Sequence, residues 1–140
     1  MLDLLPRHIW LLAGAYCAAS LAHFAHNAEY IVFYPNMPAW LTREQVYLVW
    51  LGITAVGAVG IALACLGWRA TGAACVAAYG ALGLDGLGHY TLALCSEHTW
   101  AMNLTIWSEA ALGLVLALCA AAFAGSRAVA WRALRLSSIH

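Results

Sequence analysis

Four long apolar stretches joined by short turns constrain the fold of this chain more than any other feature. They cover about residues 9–33, 43–66, 70–94 and 97–124. At about 1.5 Å per residue, each is long enough to cross the roughly 30 Å hydrocarbon layer of a bilayer as a helix. The sequence therefore predicts an all-α integral membrane protein, a four-helix antiparallel bundle that forms a single domain over residues 1–140.

Composition favours a membrane protein over a soluble domain. Hydrophobic residues make up 65% of the 140 residues and charged residues 9%, against about 25% charged in typical soluble domains. A soluble domain of this size has too little interior to hide so much apolar surface. The formal net charge is zero with neutral histidines, so nothing indicates nucleic acid, and the expected partner is the lipid bilayer.

Local signals mark the end of the first helix and the start of the second. Pro35 and Pro38 end the first helix, because proline and the residue before it resist helical geometry. Thr42 followed by Gln45 predicts a capping box at the start of the second helix.

The third and fourth helices carry weaker boundary signals. Glycines in the third stretch are typical either of close helix packing or of irregular backbone around Asp85. Ser96 is the expected N-cap of the fourth helix, and Gly125 is its expected C-cap. The glycines concerned are Gly72, Gly80, Gly83, Gly86 and Gly88.

The arginines predict the orientation in the membrane. Arg43 falls on one side of the predicted bundle and the other arginines fall on the opposite side. Because cytoplasmic segments carry an excess of positive charge, both termini are expected in the cytoplasm. The protein is then a multi-pass protein of the cell (inner) membrane, with residues 35–41 and 95–96 on the periplasmic side. The opposing arginines are Arg7, Arg69, Arg127, Arg132 and Arg135.

Ionisable side chains interrupt the apolar stretches at three places, within residues 20–34, 85–90 and 97–109. Such side chains are costly inside a bilayer and by default indicate a functional site. They are His23, His26, Glu29, Asp85, His89, His98 and Glu109, with Asn27 beside them.

Depth and helix face predict that these residues meet near the outer end of the bundle. At about 1.5 Å per residue, Glu109 lies about 16 Å deeper than His98, level with His23 on the first helix. Asp85 and His89 form an i,i+4 pair, and His98 and Glu109 share a stripe of the fourth helix.

Imidazoles and carboxylates are the usual ligands of zinc, iron and copper, so the cluster predicts a metal site near the outer face. Zinc fits the ligand set best, with iron or copper as alternatives. A metal-dependent hydrolase or oxidoreductase is the favoured function, acting on a membrane-embedded or membrane-proximal substrate such as a lipid or quinone-like molecule. The predicted ligands are His23, His26, Asp85, His89 and His98, and the predicted catalytic residues are Glu29 and Glu109.

Three other interpretations are compatible with the same residues. The chain can be a b-type haem protein that exchanges electrons with quinone, with one histidine of the first helix and His89 as axial ligands. It can be a metal-free acid–base lipid isomerase or a proton-coupled transporter. The cluster can also be a structural polar network. In ligand chemistry alone it is similar to the zinc sites of intramembrane lipid hydrolases and to sterol isomerases, although neither motif maps onto this chain residue by residue.

Aromatic residues near the outer end predict an interfacial belt, since tyrosine and tryptophan concentrate where the membrane meets water. They are Tyr34, Trp40, Tyr47, Tyr90 and Trp100.

Overall fold

The structure is a computed structural model and describes residues 5–137. The fold is all-helical, as predicted. Its α-helices are α1 (Arg7–Glu29), α2 (Arg43–Cys65), α3 (Arg69–Leu82), α4 (His89–Leu92) and α5 (Trp100–Ser137), and 3₁₀ turns span Ile31–Phe33, Gly83–Gly88 and Cys95–Glu97.

Within residues 5–137, four helical segments are long and apolar enough to cross a membrane: Arg7–Glu29, Arg43–Cys65, Arg69–Leu92 and Trp100–Ala130. Large apolar side chains cover the outside of the bundle, and Leu11, Leu48 and Leu118 are exposed. Extended exposed apolar surface of this kind is typical of contact with a membrane or a partner.

Glycines allow the helices to pack with their backbones in contact. A Cβ atom on Gly72 would lie 2.5 Å from the carbonyl oxygen of Gly60, which joins α2 to α3. A Cβ atom on Gly80 would lie 2.6 Å from the carbonyl oxygen of Gly113, which joins α3 to α5. Close packing, one of the two predicted roles of the glycines, is therefore found at Gly72 and Gly80.

The interior is divided into an apolar half and a polar half. Near the start of α1, Ile9, Val76 and Leu116 are fully buried, and the rings of Tyr16 and Tyr79 lie 4.6 Å apart. Towards the end of α1 the buried side chains become polar, and this half holds the candidate site. The buried polar residues are Ser20, His23, Asn27, His89, His98 and Glu109.

The start of α2 is as the sequence predicts. The backbone N–H of Gln45 donates to Thr42 Oγ1 at 3.3 Å, and the N–H of Thr42 donates to Gln45 Oε1 at 2.8 Å. These two bonds satisfy backbone donors that the helix itself leaves unpaired.

The first helix ends earlier than the predicted residue 33. It stops at Glu29, and the chain tightens into the 3₁₀ turn Ile31–Phe33. Tyr34 then adopts an extended backbone with ψ 129°, which is the conformation favoured for a residue before proline. The early end turns Tyr34 back towards the bundle.

The third helix is not continuous over residues 70–94. Of the two predicted roles of its glycines, irregular backbone around Asp85 is found in the 3₁₀ turn Gly83–Gly88, before α4 (His89–Leu92). Gly83 packs on the ring of Tyr16, where a Cβ atom would lie 2.6 Å from the nearest ring carbon. Irregular backbone is tolerated in an apolar span where it lies against protein, as Gly83 does.

The predicted ends of the fourth helix, residues 97 and 124, are both wrong. The helix begins at Trp100, because the Thr99 hydroxyl accepts a bond from the N–H of Met102 at 3.3 Å, and Ser96 lies in the 3₁₀ turn Cys95–Glu97. Gly125 does not end it, since α5 continues to Ser137. A glycine that ends a helix usually has positive φ, and among residues 5–137 only Gly67, at the end of α2, is such a glycine (φ 93°).

Candidate functional site

The proton on one ring nitrogen of His23 can be placed from its neighbours. The side chain of His23 is buried, and its Nδ1 atom lies 3.3 Å from Oγ1 of Thr105 on α5. The Thr105 hydroxyl donates its own hydrogen to the carbonyl oxygen of Met102 at 2.9 Å. Oγ1 therefore acts as an acceptor towards His23, and Nδ1 carries the hydrogen.

The other ring nitrogen of His23 faces the carboxyl group of Glu109. Nε2 lies 3.6 Å from Oε2 of Glu109, and the two side chains are 2% and 1% exposed. Among residues 5–137, Oε2 has no hydrogen-bond partner. Without a proton, the lone pair on Nε2 and the carboxylate oxygen would repel each other. One proton must therefore lie between the two groups, bound either to the carboxyl group or to the ring. Such a pair can move a proton internally without changing its net charge.

Gly86 covers the contact between these two groups. A Cβ atom on Gly86 would lie 3.1 Å from Oε2 of Glu109 and 3.6 Å from Nε2 of His23. The 3₁₀ turn Gly83–Gly88 thus brings backbone without a side chain over the pair. This close approach explains why the irregular segment carries glycine at this position.

Asn27 and His89 form a second buried contact beside the first. Nδ2 of Asn27 donates to Nε2 of His89 at 3.2 Å, which leaves the His89 hydrogen on Nδ1. In the described part of the chain, Oδ1 of Asn27 is buried without a hydrogen-bond partner. The His23 and His89 rings are 5.4 Å apart, so this acceptor and the Nδ1–H donor of His89 lie beside the His23–Glu109 pair.

Tyr34 belongs to the site, which the sequence did not predict. It is 4% exposed, its hydroxyl lies 2.9 Å from Nδ1 of His26, and its ring lies 4.9 Å from that of His89. Burial raises the pKa of Tyr34 to about 12, so the phenol stays protonated at neutral pH and can donate to His26. Because Tyr34 is buried, it does not join the exposed aromatic side chains Trp40 and Trp100 of the predicted belt. The available signal was Pro35, which prevents the helix from carrying Tyr34 outward.

His98 lies in the polar half of the bundle, in the segment that precedes α5. Its Nδ1 donates to the carbonyl oxygen of Leu94 at 3.0 Å, while its Nε2 is buried and has no hydrogen-bond partner among residues 5–137. Its ring lies 6.1 Å from that of His89 and 5.4 Å from that of Tyr90. The predicted proximity to His89 is found, although the predicted position on the helical stripe with Glu109 is not.

The two remaining carboxylates lie outside the buried cluster. Asp85 is exposed at the edge of a pocket. Glu29 accepts a hydrogen bond from the Tyr47 hydroxyl at 2.9 Å and forms an ion pair with Arg43 at 3.4 Å, on the exposed side of α1 and α2. These contacts give Glu29 a role in joining two helices and do not bring it to the buried pair.

The pocket lies between α1, α2 and the segment that ends in α4, with a volume of about 250 Å³. Four of its lining residues are polar: His23, Asn27, Asp85 and His89. Its apolar wall contains Phe24, Met37, Pro38, Leu41, Val46, Val49 and Leu92. The pocket can therefore receive a molecule with a small polar group and an apolar remainder.

The geometry is less favourable for the predicted metal site. Across residues 5–137, no group of three or more His, Cys, Asp or Glu side chains is arranged so that it could hold a metal ion. Ring nitrogens of His23, His26 and His89 already bond to protein side chains. The metal set of His23, His26, Asp85, His89 and His98 stays a prediction.

Comparisons of the chain with protein-family models, with curated proteins and with solved structures gave no match.

Proposed function

We propose that this chain is a four-span integral membrane protein and that its polar half is an acid–base site. The site isomerises a small amphiphilic molecule of the membrane phase by moving protons through His23 and Glu109. Four apolar spans and the apolar exterior support insertion in a membrane. The separation of Arg43 from the other arginines supports cytoplasmic termini in the cell membrane.

The contact between Nε2 of His23 and Oε2 of Glu109 is the observation that carries this proposal. The two groups are buried, lie 3.6 Å apart and require one proton between them. A positioned acid–base group of this kind contributes about 10²–10⁴-fold to proton-transfer rates. His23 lines the pocket and Glu109 does not, so His23 meets the substrate and Glu109 balances the charge on the ring.

The reaction is balanced without a co-reactant. The pair gives its proton to one carbon atom of the bound molecule and takes a proton from a second carbon atom, so that a carbon–carbon double bond changes place. At the end the pair again holds one proton. The Nδ1–H of His89 and the Oδ1 of Asn27 hold the polar group of the molecule by donating and accepting hydrogen bonds.

The size and lining of the pocket indicate the class of substrate. A volume of about 250 Å³ lies below the roughly 300–1,000 Å³ of pockets that enclose whole drug-sized ligands. It suits a polar head group whose apolar remainder extends along the apolar side chains of Phe24, Val46 and Val49. A membrane lipid or isoprenoid alcohol has this chemistry.

Hydrogen–deuterium exchange into membrane lipids tests the proposal across all lipid classes at once. The full chain is reconstituted with a total membrane lipid extract in D₂O, and the lipids are analysed by mass spectrometry. The proposal predicts that one lipid class gains carbon-bound deuterium, and that Glu109→Gln slows this gain about 100-fold or more.

Glu29→Gln is the matched control, because it removes a carboxylate from α1 without touching the pair. It should exchange deuterium at the wild-type rate. If no lipid gains deuterium in the presence of folded wild-type protein, or if both variants behave alike, the proposal is wrong.

The metal-dependent enzyme and the haem protein have less support in the geometry. The His23 and His89 rings contact each other at 5.4 Å edge to face, which leaves no space for a porphyrin between them.

A further inference from the structure

The pocket beside the His23–Glu109 pair is lined by one carboxylate, that of Asp85. In the described part of the chain, the pocket lining includes no lysine or arginine. Among the side chains that the structure describes, none donates a hydrogen bond to the Asp85 carboxylate or forms an ion pair with it. Arg43, at the same end of the bundle, pairs with Glu29 instead. The charge of Asp85 can therefore act on a molecule in the pocket.

The depth of Asp85 makes this charge significant in the proposed membrane arrangement. Asp85 belongs to the apolar span that ends at Leu92, and at about 1.5 Å per residue it lies about 10 Å inside that end. A charged side chain inside a bilayer is costly, and it usually pairs with an opposite charge or serves a function. Because the described side chains around the pocket supply no cation, the expected partner of Asp85 is a cationic ligand.

Asn27 adds a second acceptor to the same pocket. Its side chain is 7% exposed, and its Nδ2 atom is held by the hydrogen bond to His89. Its Oδ1 atom is buried and has no hydrogen-bond partner within residues 5–137. A buried acceptor without a donor costs free energy. Since Asn27 and Asp85 both line the pocket, a bound molecule meets two acceptors that need hydrogen-bond donors.

We propose that this pocket binds the primary ammonium group of an amphiphilic amine through Asp85 and Asn27. An ammonium group carries a positive charge and three N–H donors, so it can bond to the carboxylate and to the amide oxygen together. A hydroxyl group has one donor and no charge, and a trimethylammonium group has no donor. The alkyl chain of the amine lies along the apolar wall formed by Phe24 and Val49. That this amine is also the substrate rests on the proposed acid–base function, whereas its binding does not.

The test measures thermal unfolding of the full chain in a neutral detergent at neutral pH, where an alkyl amine is charged as a lysine side chain is. Dodecylamine, dodecanol and dodecyltrimethylammonium are added in separate series at equal concentrations. Ligands that bind the folded state raise its melting temperature. Dodecylamine should raise it by several degrees more than either of the other two. Ethylamine has no long apolar chain and should have little effect, and an effect equal to that of dodecylamine would contradict an amphiphilic ligand.

Asp85→Asn removes the charge at nearly constant size and should weaken the apparent affinity for dodecylamine about tenfold or more. Glu44→Gln is the matched control, because Glu44 is an exposed carboxylate of α2 that does not line the pocket. It should respond to dodecylamine as the wild type does. If dodecylamine and dodecyltrimethylammonium act alike, or if Asp85→Asn and Glu44→Gln respond alike, the proposal is overturned.

The ammonium site and the proposed reaction can fail separately. Asp85-dependent binding of dodecylamine, without deuterium gain in any lipid, would support the ammonium site and contradict the reaction. Deuterium gain in a lipid that contains no amine would support the reaction and overturn the amine as its substrate.

Discussion

Glu109 and His23 face each other across the buried interface of α1 and α5, with Oε2 of the carboxyl group 3.6 Å from Nε2 of the ring. Thr105 accepts the hydrogen of the opposite ring nitrogen. The carboxyl group and the lone pair therefore need one proton in common. This relationship connects the packing of the two helices to the proposed chemistry.

Glu109→Gln should abolish most of the proposed proton transfer while it leaves the stability of the fold nearly unchanged. The glutamine amide keeps a hydrogen-bond donor facing Nε2 of His23, so the free energy of unfolding should change by about 1 kcal/mol or less. Glu109→Leu places an apolar group against the buried Nε2 and should lower the free energy of unfolding by about 1–3 kcal/mol. Unfolding in a denaturant series measures both. A leucine variant more stable than the glutamine variant would show that the buried contact does not require a donor.

Gly86→Ala should disturb the contact between His23 and Glu109, because Gly86 lies over that contact. The added methyl group would lie 3.1 Å from Oε2 of Glu109, which is tighter than most contacts, so the carboxyl group has to shift by a few tenths of an ångström from its position beside Nε2. We expect the variant to fold but to lose most lipid-deuterium exchange. Gly88→Ala is the control from the same 3₁₀ turn, because its methyl group would meet no atom within 4 Å. Equal loss in both variants would indicate a general effect on this turn.

Tyr34→Phe should change how stability depends on pH. Burial raises the pKa of Tyr34 to about 12, from 10.0 for an exposed tyrosine. Between these values the unfolded chain releases the phenolic proton while the folded chain keeps it, so the wild type loses stability as pH rises. Below pH 10 this contribution is fully present. The stability difference between wild type and Tyr34→Phe should therefore shrink from about pH 10 to pH 12, as followed by denaturant unfolding. A constant difference would mean that Tyr34 titrates normally.

Gly72→Ala should destabilise the bundle more than an ordinary surface change does. A Cβ atom there would lie 2.5 Å from the carbonyl oxygen of Gly60, so α2 and α3 would have to separate. Overpacking of this kind costs about 1–3 kcal/mol. Gly52→Ala is the control, since nothing lies within 4 Å of its added carbon, and it should not destabilise α2. Equal stabilities of the two variants would contradict backbone contact between α2 and α3.

The sequence predicted the depth at which the polar side chains of different helices come together. It did not predict how the backbone is arranged around them. His23 and Glu109 were expected at one depth, because a regular rise per residue fixes depth in long helices. The break at Gly83–Gly88 was one of two possibilities, since glycines suit both close packing and irregular backbone. Choosing between them depends on Tyr16, which packs against Gly83 from another helix. Such contacts between distant residues leave no periodic signal in the sequence.

The exposed and buried carboxylates illustrate the same limit. Glu29 lies next to the buried histidines in the sequence, yet its partners are Tyr47 and Arg43 on α2. Glu109 is distant in sequence and pairs with His23. The position of a residue in the sequence and its helix face locate its side chain to within about one helical turn. The partner of that side chain depends on how the neighbouring helices pack.

The most direct test of the proton-sharing pair is nitrogen-15 NMR of the His23 ring. The full chain is labelled at histidine, reconstituted in lipid at neutral pH, and the His23 signals are assigned by their absence from His23→Gln. We predict a hydrogen on Nδ1, held by Thr105, whether the shared proton lies on Glu109 or on Nε2. A neutral ring with its only hydrogen on Nε2 would make Glu109 a simple acceptor. That result would contradict the proposed proton-sharing pair.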